Sequence, residues 1–268
     1  MVKVVLQIDK SLEENAGRYF ENAKKFRQKA CRAKEALAQA KSSLLKISEE
    51  KIKSISSEKK NQKKREWYEK FRWFFSSEGF LVIGGRDATT NEIIIKKYTS
   101  PEDLVFHTDM AGSPFFVVKC SGKKPSQETM QEVADATASY SKAWRLGHST
   151  TPVFWVRPEQ VSKSAKSGEY LGKGGFMIYG KSNYIENKMM LAIGLKDGRI
   201  IGGPIKAIEK NAEKFVVISQ GDKKPSDAAK EIKKILGDGD IDEIIRFLPA
   251  GNISVKKRDG ANAKSKEK

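Results

Sequence analysis

The chain has 268 residues: 51 are lysine or arginine, 34 aspartate or glutamate and 2 histidine, giving a formal net charge of +17. With 32% charged and 38% hydrophobic residues, it reads as a packed domain diluted by a solvated charged segment, and its basic excess favours a polyanionic partner, nucleic acid foremost. No apolar run nears the ~20 residues of a membrane span. The first nine residues lack a signal-peptide pattern, Cys31 and Cys120 make no disulfide framework, and His107 and His148 lie far apart, so a cytosolic protein without metal or cofactor is expected.

Val2, Val4, Leu6 and Ile8 alternate as a short half-buried strand would. Ser11 and Glu14 form a capping box at the start of a helix. Leu12, Ala16, Tyr19, Ala23, Phe26, Ala30, Ala33, Leu37, Ala40, Leu44 and Ile47 then recur every three or four residues, a seam of coiled-coil type. Ser48-Glu49-Glu50 offers a second N-cap with acids in its first turn, which predicts a second helix running to the aromatic cluster at 67–75 and an antiparallel coiled-coil hairpin. Residues 1–75 hold 20 basic and 10 acidic side chains, a net of +10 and more than half of the total excess.

After Gly79 the texture becomes that of a compact domain. Strands are expected at 80–83, 104–107, 115–119, 153–156 and 215–218, with shorter ones within 168–180, 189–195 and 200–201. Asp87 is placed to cap a helix running to Tyr98, although Ile93-Ile94-Ile95 leaves a strand open. Helices are expected at 126–146, ending before Gly147, and at 226–236 and 241–247, while 206–214 is ambiguous. The expected fold class is α+β: an N-terminal short strand and basic coiled-coil hairpin over 1–76, one globular domain with a mixed sheet and flanking helices over 77–250, and a basic disordered tail over 251–268.

Several segments bear on function, each with two readings. Six aromatics fall within residues 67–75; they either dock a helix end onto the domain or offer one or two rings, such as Tyr68 or Trp73, to unpaired bases. Arg86, in Gly84-Gly85-Arg86-Asp87, is suited to a phosphate at a helix N-terminus or to a salt bridge with Asp87, Asp103 or Asp109. His107 and Asp109 resemble an acid–base pair but lack a nucleophile, so a structural or RNA-contacting role is the plainer reading. Residues 157–176 interleave Arg157, Lys163, Lys166 and Lys173 with serines, glycines, Tyr170 and Phe176, as a flexible loop that grips phosphates and stacks on a base would. Gly172-Lys173-Gly174-Gly175 lacks the spacing of a P-loop.

Trp67-Tyr68-Glu69-Lys70-Phe71-Arg72-Trp73-Phe74, Gly84-Gly85-Arg86-Asp87-Ala88, Asn91-Glu92, Lys96-Lys97-Tyr98, His107-Thr108-Asp109, Gly112-Ser113-Pro114, Trp144, Val161-Ser162-Lys163, Gly168-Glu169-Tyr170-Leu171 and Gly175-Phe176-Met177-Ile178-Tyr179-Gly180-Lys181 closely resemble the NFACT-R domain. This domain occurs in ribosome quality control factors of the NEMF and fibronectin-binding-protein-A-like family, whose coiled coil the stretch from Asp9 to Lys25 also resembles. The resemblance is densest over 67–181 and implies a non-catalytic module that binds RNA (rRNA, tRNA or both) and the large ribosomal subunit. The family's NFACT-N and helix-hairpin-helix parts are not visible in this sequence, and a separate protein supplying them is an expected further partner. The expected RNA contacts are Arg86, His107, Arg157, Lys163, Lys166, Tyr170, Lys173 and Lys181. A coiled-coil adaptor without RNA recognition is the alternative, and no membrane partner is expected.

Overall fold

The computed structural model describes residues 4–58, 66–164 and 171–256, with the main chain alone over 45–58. It divides into two compact units, Met1–Arg65 and Glu66–Lys268.

In the first unit one helix, α1, runs from Leu12 to Glu58. The capping box forms as its sequence predicts: the Glu14 amide donates to Ser11 Oγ at 3.1 Å, and the Ser11 amide to Glu14 Oε2 at 2.9 Å. Residues 4–8 are not the expected strand. Their backbone pairs instead with side chains of α1. The Gln7 amide and carbonyl meet the carboxamide of buried Asn15 at 2.9 and 3.0 Å, and Val5 pairs with Tyr19 Oη. The helix continues through Ser48, so the predicted second start is unused and the described residues contain no hairpin. Ser-Glu-Glu caps a helix only where the chain leaves helical geometry, and with no Gly or Pro nearby the interior position costs a few tenths of a kcal/mol. The seam residues Leu12, Tyr19, Phe26, Leu37 and Leu44 are exposed.

The second unit opens on a single 3-10 turn, Trp67–Lys70, and then a strand, β1, at Arg72–Phe75. The expected helix through this aromatic stretch is therefore corrected. Aromatics suit a pleated, half-buried surface, and pairing with β2 (Leu81–Gly84) overrides the helical spacing. α2 (Ala88–Lys97) follows, capped by Asp87, whose carboxylate accepts from the Thr90 amide at 2.8 Å. Next come β3 (Leu104–Thr108), β4 (Phe116–Val118) and α3 (Gln127–Ser139). α4 (Lys142–Arg145) is separate from α3, because Ser141 Oγ takes the Ala143 amide at 3.1 Å and starts a new cap where one helix to Leu146 was expected.

β5 (Val153–Val156), β6 (Val161–Ser162), β7 (Met177–Ile178), β8 (Asn183–Ile185), β9 (Met190–Lys196) and β10 (Arg199–Gly203) come next. α5 (Ile205–Asn211), β11 (Lys214–Lys223), α6 (Pro225–Leu236), α7 (Ile241–Phe247) and β12 (Ile253–Lys256) complete the order. The unit thus reaches beyond residues 77–250 at both ends, through β1 and β12.

Three sheets form: β1-β2-β4-β3-β5-β8, β10-β9-β11-β12 and the ribbon β6-β7. Among the described residues every pairing is antiparallel, which corrects the expected mixed sheet. Short turns join β1 to β2, β3 to β4 and β9 to β10, which only antiparallel neighbours allow, and the longer, mostly helix-bearing connections return their strands antiparallel as well. The six-stranded sheet is buried on both faces. Val82, Phe106, Phe116 and Val118 point to the main core with Trp144 and Leu191; Ile83, Val105 and Val117 point the other way, to Ile94 of α2. That alternation places the N-terminus of α2 and the ends of β2, β3 and β4 around one cavity.

Candidate nucleic-acid interface

A cavity of about 530 Å³ opens in the second unit. One side is Gly85 to Ala88 at the start of α2, a second is the turn at 111–115, a third is the strap at 172–176, and Arg72 and Tyr140 also line it. Three of the predicted contacts, Arg86, His107 and Lys173, come together there.

The walls are tied by specific bonds. Asn91, buried on α2, accepts the Phe115 amide on Oδ1 at 3.1 Å and reaches the Ser113 carbonyl with Nδ2 at 3.4 Å. The turn is closed by the Thr108 and Ser113 hydroxyls bonding to each other, and by Ser113 Oγ donating to the Met110 carbonyl at 2.9 Å. The strap is held by Lys163. Its ammonium meets Glu92 Oε1 at 2.6 Å and donates to the carbonyls of Gly172 and Gly175, both at 3.0 Å, beneath the Phe176 ring. Glu92 Oε1 also accepts the Gly174 amide at 3.2 Å. Gly174 has φ +78° and lies so close to α2 that a Cβ would come within 2.6 Å of Ala88 Cα, so the contact needs glycine. The Lys163 bond, chiefly, and the Gly174 amide hold the Glu92 carboxyl down at about 2.

Arg86 forms no salt bridge with Asp87, Asp103 or Asp109; its guanidinium donates to the carbonyls of Phe71 at 2.9 Å and Arg246 at 3.1 Å. Burial first, and then the neighbouring Arg72 and Arg246 charges, pull it down to about 10. His107 stacks on Phe115 with centroids 4.1 Å apart, and its Nε2 reaches the Ser113 carbonyl at 3.2 Å. Asp109 accepts instead from Tyr184 Oη at 3.2 Å, so the two residues make no acid–base pair. Burial also pushes the Cys120 thiol up to about 11, which keeps it protonated at neutral pH.

The remaining predicted residues lie elsewhere. Lys163 is committed to the strap, and its contribution to the cavity is positional. The expected loop at 157–176 is in part a ribbon, since β6 pairs with β7. Arg157 and Lys181 are exposed beside it. Gln160 links them by accepting the Arg157 amide at 2.9 Å and donating to the Lys181 carbonyl at 3.1 Å. Lys166 and Tyr170 fall outside the described residues. Arg157, Lys173 and Lys181 make no ion pair among the described residues. Of the rings considered for base stacking, Tyr68 and Trp73 pack edge to face on each other at 5.0 Å, while Trp67, 44% exposed, stacks on Tyr98 at 4.9 Å.

Sequence reasoning missed Arg72, Asn91 and Tyr140 as cavity residues. The signal for Arg72 was a cation set directly between Phe71 and Trp73 inside a nine-residue run of six aromatics.

Burial lowers the affinity of His107 for a proton from the ordinary 6.5. A base held neutral in the fold contributes stability that is complete above its unfolded value and lost as pH falls below about 6.5. Buried Glu132 and Asp135 act with the opposite sign, because burial raises them. His107→Gln is therefore expected to lose less stability than the parent chain between pH 7.5 and pH 5 in urea unfolding. Parallel pH profiles for the two proteins would refute this account of the imidazole.

Residues 70–180, which contain all of the cavity walls, match the family described as NFACT protein RNA binding domain. Over 212 residues, 76% of this chain, it is 44% identical to the archaeal Rqc2 homolog aRqcH of Methanocaldococcus jannaschii. Residues 70–180 of this chain form an NFACT-R domain. It is also similar to the ribosome quality control complex subunit NEMF homolog of Drosophila melanogaster (44% identity over 120 residues, 44% of this chain) and to the ribosome quality control complex subunit NEMF of Homo sapiens (41% over 143 residues, 52% of this chain). The matches span 31% of the archaeal relative, 12% of the fly relative and 13% of the human relative, so this NFACT-R protein spans a third or less of their length. No helix among the described residues is long and apolar enough to cross a membrane, and none of their His, Cys, Asp and Glu side chains cluster in a way that would hold a metal ion.

Proposed function

We propose that this chain is a non-catalytic RNA-binding module that associates with the large ribosomal subunit, through rRNA or tRNA, during quality control of stalled nascent chains in the cytoplasm. The observation that carries this reading is the family match over residues 70–180, the stretch in which Arg86, His107 and Lys173 face one cavity. Exposed Arg157 and Lys181 beside the ribbon extend the cationic surface, and the +17 charge supplies long-range attraction to phosphate.

Phosphate contacts make affinity fall with salt, by about 0.7 in log–log slope per contact on single strands. The triple variant Arg157→Ala, Lys173→Ala, Lys181→Ala is expected to bind labelled single-stranded RNA with a slope shallower by about 2. An unchanged slope, or a parent affinity indifferent to salt, would overturn the reading.

The adaptor alternative is favoured by one feature, the exposed apolar seam of α1 from Leu12 to Leu44. Co-sedimentation with ribosomes before and after RNase treatment separates the two. RNA recognition predicts loss of the chain from the pellet after treatment; retention on stripped protein supports the adaptor.

A further inference from the structure

Arg72 and Arg86 lie together in the cavity with little to neutralise them. Nη1 of Arg72 is sealed from solvent and has no hydrogen-bond partner, while the guanidinium lies 4.1 Å over the ring of Tyr140. Arg86 gives its hydrogens to two neutral carbonyls. Burial lowers the proton affinity of both, and the charge of Arg72 further lowers that of Arg86. Among the described residues, the only carboxylate lining the cavity is Asp87. Its Oδ1 is already engaged by the amide and the hydroxyl of Thr90, so it caps α2 rather than pairing with the guanidinium groups. Lys173 on the strap adds a third cation.

Buried charges in folded proteins are paired, and a guanidinium that lines a cavity with one donor unmet is suited to a fork-shaped anion. α2 points its positive end at the same space, although its Thr90 amide is already taken. Phe115, Phe176 and Ile178, which pack in one cluster, supply apolar lining to the same cavity. The volume of about 530 Å³ falls within the range of small-ligand pockets.

We propose that this cavity binds one unpaired nucleotide of RNA, its phosphate on Arg72 and Arg86 and its base toward the wall of Phe115, Phe176 and Ile178. The proposal rests on the RNA-binding reading and sharpens it. Arg72 becomes the specific phosphate ligand, whereas Arg157 and Lys181 attract phosphate at the surface.

The test uses the whole chain, with AMP, adenosine and inorganic phosphate as probes in calorimetry. AMP is expected to bind roughly ten- to a hundredfold more tightly than adenosine, the effect of charge-assisted hydrogen bonds to one phosphate, and inorganic phosphate is expected to compete with it. Arg72→Met is expected to abolish the preference for AMP while its midpoint of thermal unfolding without ligand stays level or rises, because an unpaired buried charge has been removed. Equal affinity for AMP and adenosine, or a preference for AMP that survives Arg72→Met, overturns the proposal. Should Arg72→Met fail to fold, the comparison of AMP with adenosine on the unaltered chain decides it. Single-stranded RNA that binds without any AMP preference removes this site and leaves the RNA reading in place. An AMP preference without RNA binding overturns the assignment of the site to RNA.

Discussion

Gly85→Ala is expected to cost the domain about 3–5 kcal/mol and to shift its urea midpoint downward accordingly. A Cβ at Gly85 would sit 1.8 Å from Asn91 Oδ1 and 2.7 Å from Asn91 Cγ. Asn91 has no room to yield. It is buried, and the oxygen in the way is the acceptor of the Phe115 amide, which would be left unsatisfied in the interior. Moving the helix instead would break the strut between α2 and the 113–115 turn. Asn91→Ala in the same background removes the obstacle, so the two changes together are expected to cost less than the sum of each alone. Additive costs in that double-mutant cycle, or a Gly85→Ala loss below about 1 kcal/mol, would mean that Asn91 is not the group in the way.

Trp144→Ala is expected to cost about 3–5 kcal/mol. The ring is 2% exposed in the main core, and its Nε1 donates to the Asn252 carbonyl at 3.1 Å, just before β12. Gln220 of β11, whose strand pairs with β12, donates to the Trp144 carbonyl at 3.2 Å. The substitution thus empties core volume and releases the segment that leads into the last strand. Trp144→Phe keeps most of the volume and loses only the indole donor, so about 1 kcal/mol is expected from the missing bond, beyond a smaller packing loss. Hydrogen exchange at Ile253 and Val255 is expected to accelerate in both variants, more in the alanine one. Unchanged protection there, with full stability in urea, would show that β12 is anchored by its ladder alone.

Local chemistry was legible wherever a side chain acts on its own neighbourhood. Ser11 with Glu14 and Asp87 with Thr90 cap their helices through atoms three residues away, so spacing alone predicts them. Ser141 was hidden inside an apolar helical period, yet the chain uses it to end one helix and begin another. The aromatic run was read with the wrong period, because its helical spacing competes with a strand whose partner, Leu81–Gly84, lies several residues away. Among the candidate site residues, Arg86, His107 and Lys173 converge on one cavity, whereas Lys163 turned out to be the clasp of the strap. No spacing rule pairs Lys163 with Glu92, because their contact depends on how α2 packs on the sheet.

The sequence by itself determined, through its resemblance to a known family, that residues 70–180 belong to an NFACT-R domain. It also determined that the chain is strongly basic and where most helices cap and most strands lie, which follow from residue types and short-range periods. Tertiary structure alone decided that the sheets are antiparallel, that α1 runs on through Ser48, and that Arg72 and Arg86 line one cavity whose described carboxylate, Asp87, is engaged by Thr90. The physical reason is range. Caps and strands are fixed by neighbours within a few residues, while the charge balance of a cavity depends on which distant segments fold against it.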